Sequence, residues 1–181
     1  MTHLNANRVA SPAGHVVDNS SLMITELEKV RDEALSAMGA MDAVTSDSVA
    51  DRYRVSNTRW RLSQAGLRGC TASGIIFQYL FPRVGPNEAE ALQSLQRDHL
   101  EILRHSTVHI GMWTLDRIEA DWPGYREAYR VIRGKMTTYI DTEKRILFPM
   151  LKEEALGVVR GVPASSLRSD VPNGARAAGS R

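Results

Sequence analysis

Apolar residues recur at spacings of three and four along most of the chain, and nowhere alternate as a half-buried strand requires. From about Ser20 to Val44, the residues Met23, Leu27, Val30, Ala34, Met38 and Met41 share one face, which predicts a first amphipathic helix with Asp18 or Ser20 near its cap. A second pattern runs from Val49 to Phe81, with Ser46 and Asp47 as N-cap candidates and Pro82 as its stop. It carries two inward lines, one through Val49, Tyr53, Trp60, Leu67, Thr71 and Gln78, the other through Leu62, Gly66, Cys70, Phe77 and Leu80. A third helix begins at Pro86 and Asn87 and runs to about Ala120, its stripe being Leu92, Leu95, His99, Ile102, Leu103, Ser106, Ile110 and Trp113. The fourth begins at Pro123, and Pro149 is read as the signal that stops it near Leu151 or Ala155. Four long helices with short links predict an all-α fold, an up-down-up-down four-helix bundle over residues 18–156. Residues 1–17 and 157–181 lack periodicity and are rich in Gly, Pro, Ser and Asn, which predicts a disordered leader and a disordered basic tail.

One residue breaks the fourth stripe. Ile132, Met136, Tyr139, Ile140, Glu143, Ile146, Leu147 and Met150 fall on one face at 100° per residue, so the Glu143 carboxylate should point inward. A buried carboxylate must be protonated, hydrogen-bonded, paired with a cation or bound to a metal. His99 is its candidate partner. Across an antiparallel hairpin turning at Asp121–Gly124, both residues lie about 30 Å from the turn. The run Gly69-Cys-Thr-Ala-Ser-Gly74 in the second helix falls near the same level. It marks either close approach of a neighbouring helix, the preferred reading, or a cavity beside His99 and Glu143.

Composition narrows the function classes. The chain has 181 residues, 43% hydrophobic and 24% charged, which suits one globular domain. Its formal charge is +2, but Arg160, Arg168, Arg176 and Arg181 against Asp170 place +3 in the tail and leave the folded part near −1. No basic face argues for nucleic acid, and no apolar run argues for a membrane or a secretory signal. Cys70, the single cysteine, forms no internal disulfide, so a cytoplasmic location is the default expectation.

Leu80-Phe-Pro82 and Leu147-Phe-Pro149 repeat at a shift of 67 residues, which suggests two related helix pairs. With Asp98-His99 in the third helix and Glu143 before Ile-Leu-Phe-Pro, this pattern resembles the hemerythrin-like (HHE cation-binding) family over roughly residues 20–155. The resemblance implies a bundle holding non-heme iron or another divalent metal and binding oxygen, nitric oxide or a related small molecule. It also implies His99 and Glu143 as metal ligands; Tyr139 and Thr71, read as lining the same site, complete the candidate cofactor-binding set.

This chain departs from the family pattern in most ligand positions. Tyr139 stands where the fourth helix would carry a histidine, four residues before Glu143. Ala72 and Ile76, or Gly74 and Gln78 in the other register, occupy the second-helix positions, and Asp32 the first-helix position. The histidines are His3, His15, His99, His105 and His109, so the first, second and fourth helices have none and an ordinary di-iron centre cannot be assembled. Three readings remain open. His99, Glu143 and Tyr139 hold a single metal; or they form a metal-free hydrogen-bonded cluster, with Glu143 accepting from His99; or a vacated site binds an organic ligand or performs acid/base chemistry through His99 and Glu143. The expected activity is therefore metal or small-molecule binding at an incomplete site, against a metal-free interaction module with a protein partner or second copy, or a small enzyme. His105 and His109 have ligand spacing but no facing carboxylate, and are read as surface or interfacial.

Overall fold

The computed structural model describes residues 19–156. Among them every regular element is helical: α1 (Asn19–Thr45), α2 (Arg52–Leu80), α3 (Pro86–Met112), α4 (Leu115–Ala120) and α5 (Trp122–Ala155). The proposed leader and the whole of the proposed tail, with Asp18, lie outside the described residues.

The caps explain the boundaries. The Asp51 side chain, rather than Ser46 or Asp47, accepts from the Arg54 amide at 3.0 Å and starts α2. Pro86 opens α3 behind Gly85, whose amide donates to the Glu88 carboxylate at 3.0 Å. The third helix does not run to Ala120. Trp113 leaves helical geometry to bury its indole, and Thr114, accepting from the Arg117 amide at 3.3 Å, caps a separate six-residue helix. Asp121 then caps α5 through the Gly124 amide. Pro149 does not end α5: the helix carries it on an exposed face and continues to Ala155, because Met150 and Leu151 beyond it are buried.

Pairwise contacts fix the directions. Ser20–Tyr79, Glu33–Arg68 and Met41–Thr58 contacts run α1 antiparallel to α2. His99–Tyr139, His105–Lys135 and His109–Tyr125 contacts do the same for α3 and α5. The bond from Arg133 to Asp42 and the stacking of Arg31 on Phe148 make α1 antiparallel to α5.

The core has two dense ends and a thin waist. Leu27, Ile76, Leu80, Leu92, Leu95, Leu147 and Leu151 fill one end. Met41, Val55, Trp113, Ile118, Trp122, Tyr125 and Tyr129 fill the other, where Trp122 Nε1 also donates to the Asp47 carbonyl at 3.0 Å. Between them lie Ala34, Ala37, Met38, Ala65 and Ile140, mostly small side chains. The first line predicted for α2 is turned outward, with Tyr53 80%, Trp60 64% and Leu67 63% exposed. The second line does face inward, with Phe77 and Leu80 buried, and Val55, Ala65, Ala72, Ser73 and Ile76 are buried beside it. Packing against α1 selects this small-residue face, since larger side chains would hold the two helices apart.

Candidate functional site

At the waist four polar side chains from three helices form one chain. α5 presents Tyr139 and Glu143 one turn apart, so the Tyr139 hydroxyl reaches Glu143 Oε1 at 2.9 Å. The same oxygen lies 2.5 Å from Ser73 Oγ of α2, and Ser73 in turn bonds the Gly69 carbonyl at 2.9 Å. On the other side His99 Nδ1 of α3 meets the Tyr139 hydroxyl at 2.8 Å. Glu143 and His99 are 3% and 7% exposed, so both point inward as predicted. They do not meet directly, because His99 packs one turn nearer the Asp121 end than the residue count suggests and Tyr139 fills the interval.

The proton inventory favours a neutral chain. Burial pushes the Glu143 carboxyl above its ordinary range, with Ser73, Tyr139 and the more distant Arg31 acting the other way. A protonated Glu143 donates to Ser73, and Ser73 then donates to the Gly69 carbonyl. Tyr139 donates to Glu143 and accepts from His99 Nδ1–H. Each proton has an acceptor, and His99 Nε2 is left as an acceptor. Burial also depresses His99, which keeps its ring neutral. Burial, and then the Glu143 charge, push the Tyr139 phenol far above its usual range, so it stays protonated. A phenolate role for Tyr139 is thereby disfavoured.

This donor set does not fit the metal centre that the family resemblance implies. Among the described residues no group of three or more His, Cys, Asp or Glu side chains converges as a metal site requires. His99 Nδ1 and Glu143 Oε1 are already engaged with protein hydroxyls. Asp32 and Gln78 are exposed, while Ala72 and Ile76 pack in the core.

The polar chain borders a cavity of about 280 Å³. Its walls include Ala34 of α1, Leu62, Ala65, Gly66, Gly69 and Cys70 of α2, Ile102, Leu103 and Ile110 of α3, and Ile132, Met136 and Ile140 of α5. It opens along the seam where α2 and α3 scarcely touch, and where Leu67 and Ile110 are exposed. The small residues of α2 thus do both: Ala65, Ala72 and Ser73 are buried and allow close approach of α1, while Gly66 and Gly69 leave space on the cavity side, where an added Cβ would meet nothing within 4 Å. Thr71, expected in the cofactor-binding set, is turned to the surface and bonds back to the Leu67 carbonyl. Ser73, two residues on, takes its place. Its inward spacing with Ala65, Ala72 and Ile76 was the available signal. Cys70 is half-buried, and burial pushes its thiol up, so it lines the wall as a protonated thiol.

At the far end of the cavity His109 packs on Tyr125, with ring centroids 5.7 Å apart, while His105 faces outward between Glu101 and Lys135. The two histidines thus share no site. No protein-family model matches the chain, and no curated protein or solved structure matches it.

Burial, and then the nearby Arg59 charge, depress His109 to about 4. The stability contributed by its neutral ring is full above the ordinary histidine value of 6.5 and is lost as pH falls towards about 4. Because the ring is only half-buried, the discounted loss is about 1–2 kcal/mol. Urea denaturation from pH 7 to pH 4 is expected to show a shallower decline in His109→Phe than in the wild type.

Proposed function

We propose that the protein binds a small, mainly apolar molecule in the waist cavity, with the Ser73–Glu143–Tyr139–His99 chain as its polar boundary. The scaffold is then an up-down-up-down four-helix bundle of hemerythrin-like form in which the metal centre has given way to an organic-ligand site. The observation that carries this reading is the cavity itself. Its volume of about 280 Å³ approaches the lower end of the range typical of small-molecule sites, and its lining is apolar apart from a few convergent groups. Helix-destabilising glycines line it, although alanine would fit and would strengthen the helix by about 1 kcal/mol each.

Gly66→Leu tests this. The new side chain projects into the open cavity, so the variant should be at least as stable as the wild type. Naphthalene and 1-decanol should raise the wild-type Tm by several degrees at saturation but leave the Gly66→Leu Tm unmoved. Equal shifts in both proteins would place binding elsewhere, and no shift in either would end the proposal.

A second reading, proton-transfer catalysis, is favoured by the relay itself. A neutral imidazole hydrogen-bonded through a phenol to a buried carboxyl is suited to accept a substrate proton at Nε2.

A further inference from the structure

The cavity wall holds a cation with no anionic partner. Arg31, one position beyond Val30 and four beyond Leu27, lies on the edge of the buried face of α1 and lines the cavity near Glu143. Its guanidinium carbon sits 5.5 Å from the centre of the Phe148 ring. Its Nε is buried and has no hydrogen-bond partner, and among the described residues Arg31 makes no ion pair. Other arginines lining or flanking the bundle are engaged: Arg68 with Glu33, Arg133 with Asp42, and Arg59 with the Ile110 carbonyl. A buried guanidinium donor left unsatisfied is costly, which makes an acceptor supplied by a ligand the physical complement.

The shape of the cavity narrows the ligand further. Its lining extends from Arg59 to Ser73 on α2 and from His99 to Ile110 on α3, or about 16–21 Å of helix. The volume of 280 Å³ spread over that length leaves a narrow channel. At about 30 Å³ per water-sized atom it holds roughly ten non-hydrogen atoms. Beyond Arg31 and Glu143, Leu62, Ile102, Ile132 and Met136 offer an apolar run, and the other cation on the lining, Arg59, lies at the far end against the Tyr125 ring and bonds the Ile110 carbonyl.

Resting on the cavity reading above, we infer that the ligand is a linear amphiphile of about eight to ten carbons, the carboxylate head included, the head held by Arg31 and the chain lying between α2, α3 and α5. The carboxylate lies against the Arg31 guanidinium on the cavity wall and accepts from it. Glu143 does not compete for Arg31 as a full anion, since burial raises its carboxyl towards the neutral form. The α2–α3 seam provides the way in.

Calorimetric titration of the full-length protein with decanoate and with 1-decanol, near pH 7.5 where decanoate is ionised, separates the two levels of the claim. The wild type should bind decanoate at least about tenfold more tightly than decanol, the range of a charge-assisted hydrogen bond. Arg31→Met should abolish that preference while leaving decanol affinity within about twofold. Equal affinities in the wild type, a reading that needs no variant to fold, would overturn the anchor and leave the cavity reading standing. A preference that persists in Arg31→Met would do the same. Failure of both compounds to bind the wild type would overturn both.

Discussion

Leu151→Ala is expected to destabilise the protein by about 2–5 kcal/mol, the range for truncating a buried leucine. Leu151 is 0% exposed and packs in the core cluster with Leu27, Leu80 and Leu95, although it follows a proline that would ordinarily end the helix. Pro149 lacks the amide that would bond the Arg145 carbonyl, and its ring crowds that turn. Helix continuation through it is stabilised by the burial of Phe148, Met150 and Leu151 around it. Pro149 itself is exposed, so Pro149→Ala restores a helical hydrogen bond without disturbing the core. It should stabilise the protein by about 1–3 kcal/mol. Urea denaturation with an unchanged m-value measures both effects. A Leu151→Ala cost below about 0.5 kcal/mol would show that α5 stops contributing to the core at the proline.

The same proline shows where sequence legibility ends. Periodicity located four long helices because stripes such as Leu27-Val30-Ala34 and Leu92-Leu95-His99 reflect backbone geometry directly. It placed Glu143 and His99 inside for the same reason. Of the two lines it gave α2, the one through Leu62, Gly66, Cys70, Phe77 and Leu80 does turn inward, but the one through Tyr53, Trp60 and Leu67 is exposed, its apolar signal outweighing that of Ala65, Ala72 and Ser73, which are buried. Hydrophobicity records transfer from water, whereas close helix approach rewards small size, and in α2 these two signals point in opposite directions. That choice also hid Ser73 and pointed to Thr71. The break at Trp113 was illegible for another reason: the buried indole and the Thr114 cap act through tertiary packing, which no local pattern reports. Arg31 gives no signal in the sequence pattern, since its orphaned Nε follows from its neighbours rather than from its spacing.

Tyr139→Phe is expected to cost about 1–3 kcal/mol with the aromatic packing unchanged, because the lost hydroxyl strands His99 Nδ1–H on one side and removes a donor from Glu143 on the other. Glu143→Gln has an effect of opposite sign that depends on pH. The folded carboxyl is raised above its ordinary value of 4.5 by burial, so the native state retains the proton more strongly than the unfolded chain. The stability it contributes is full below pH 4.5 and is lost as pH rises through the folded value. Glutamine keeps the shape and does not titrate. The variant should therefore gain on the wild type as pH rises from 4 to 8, a comparison in which the histidine contributions common to both proteins largely cancel. Denaturation midpoints across that range decide the matter. If the wild type instead gained on Glu143→Gln with rising pH, the cluster would be organised around a carboxylate. Glu143 would then be the counter-ion to Arg31, and the cavity would have no cation to offer a ligand.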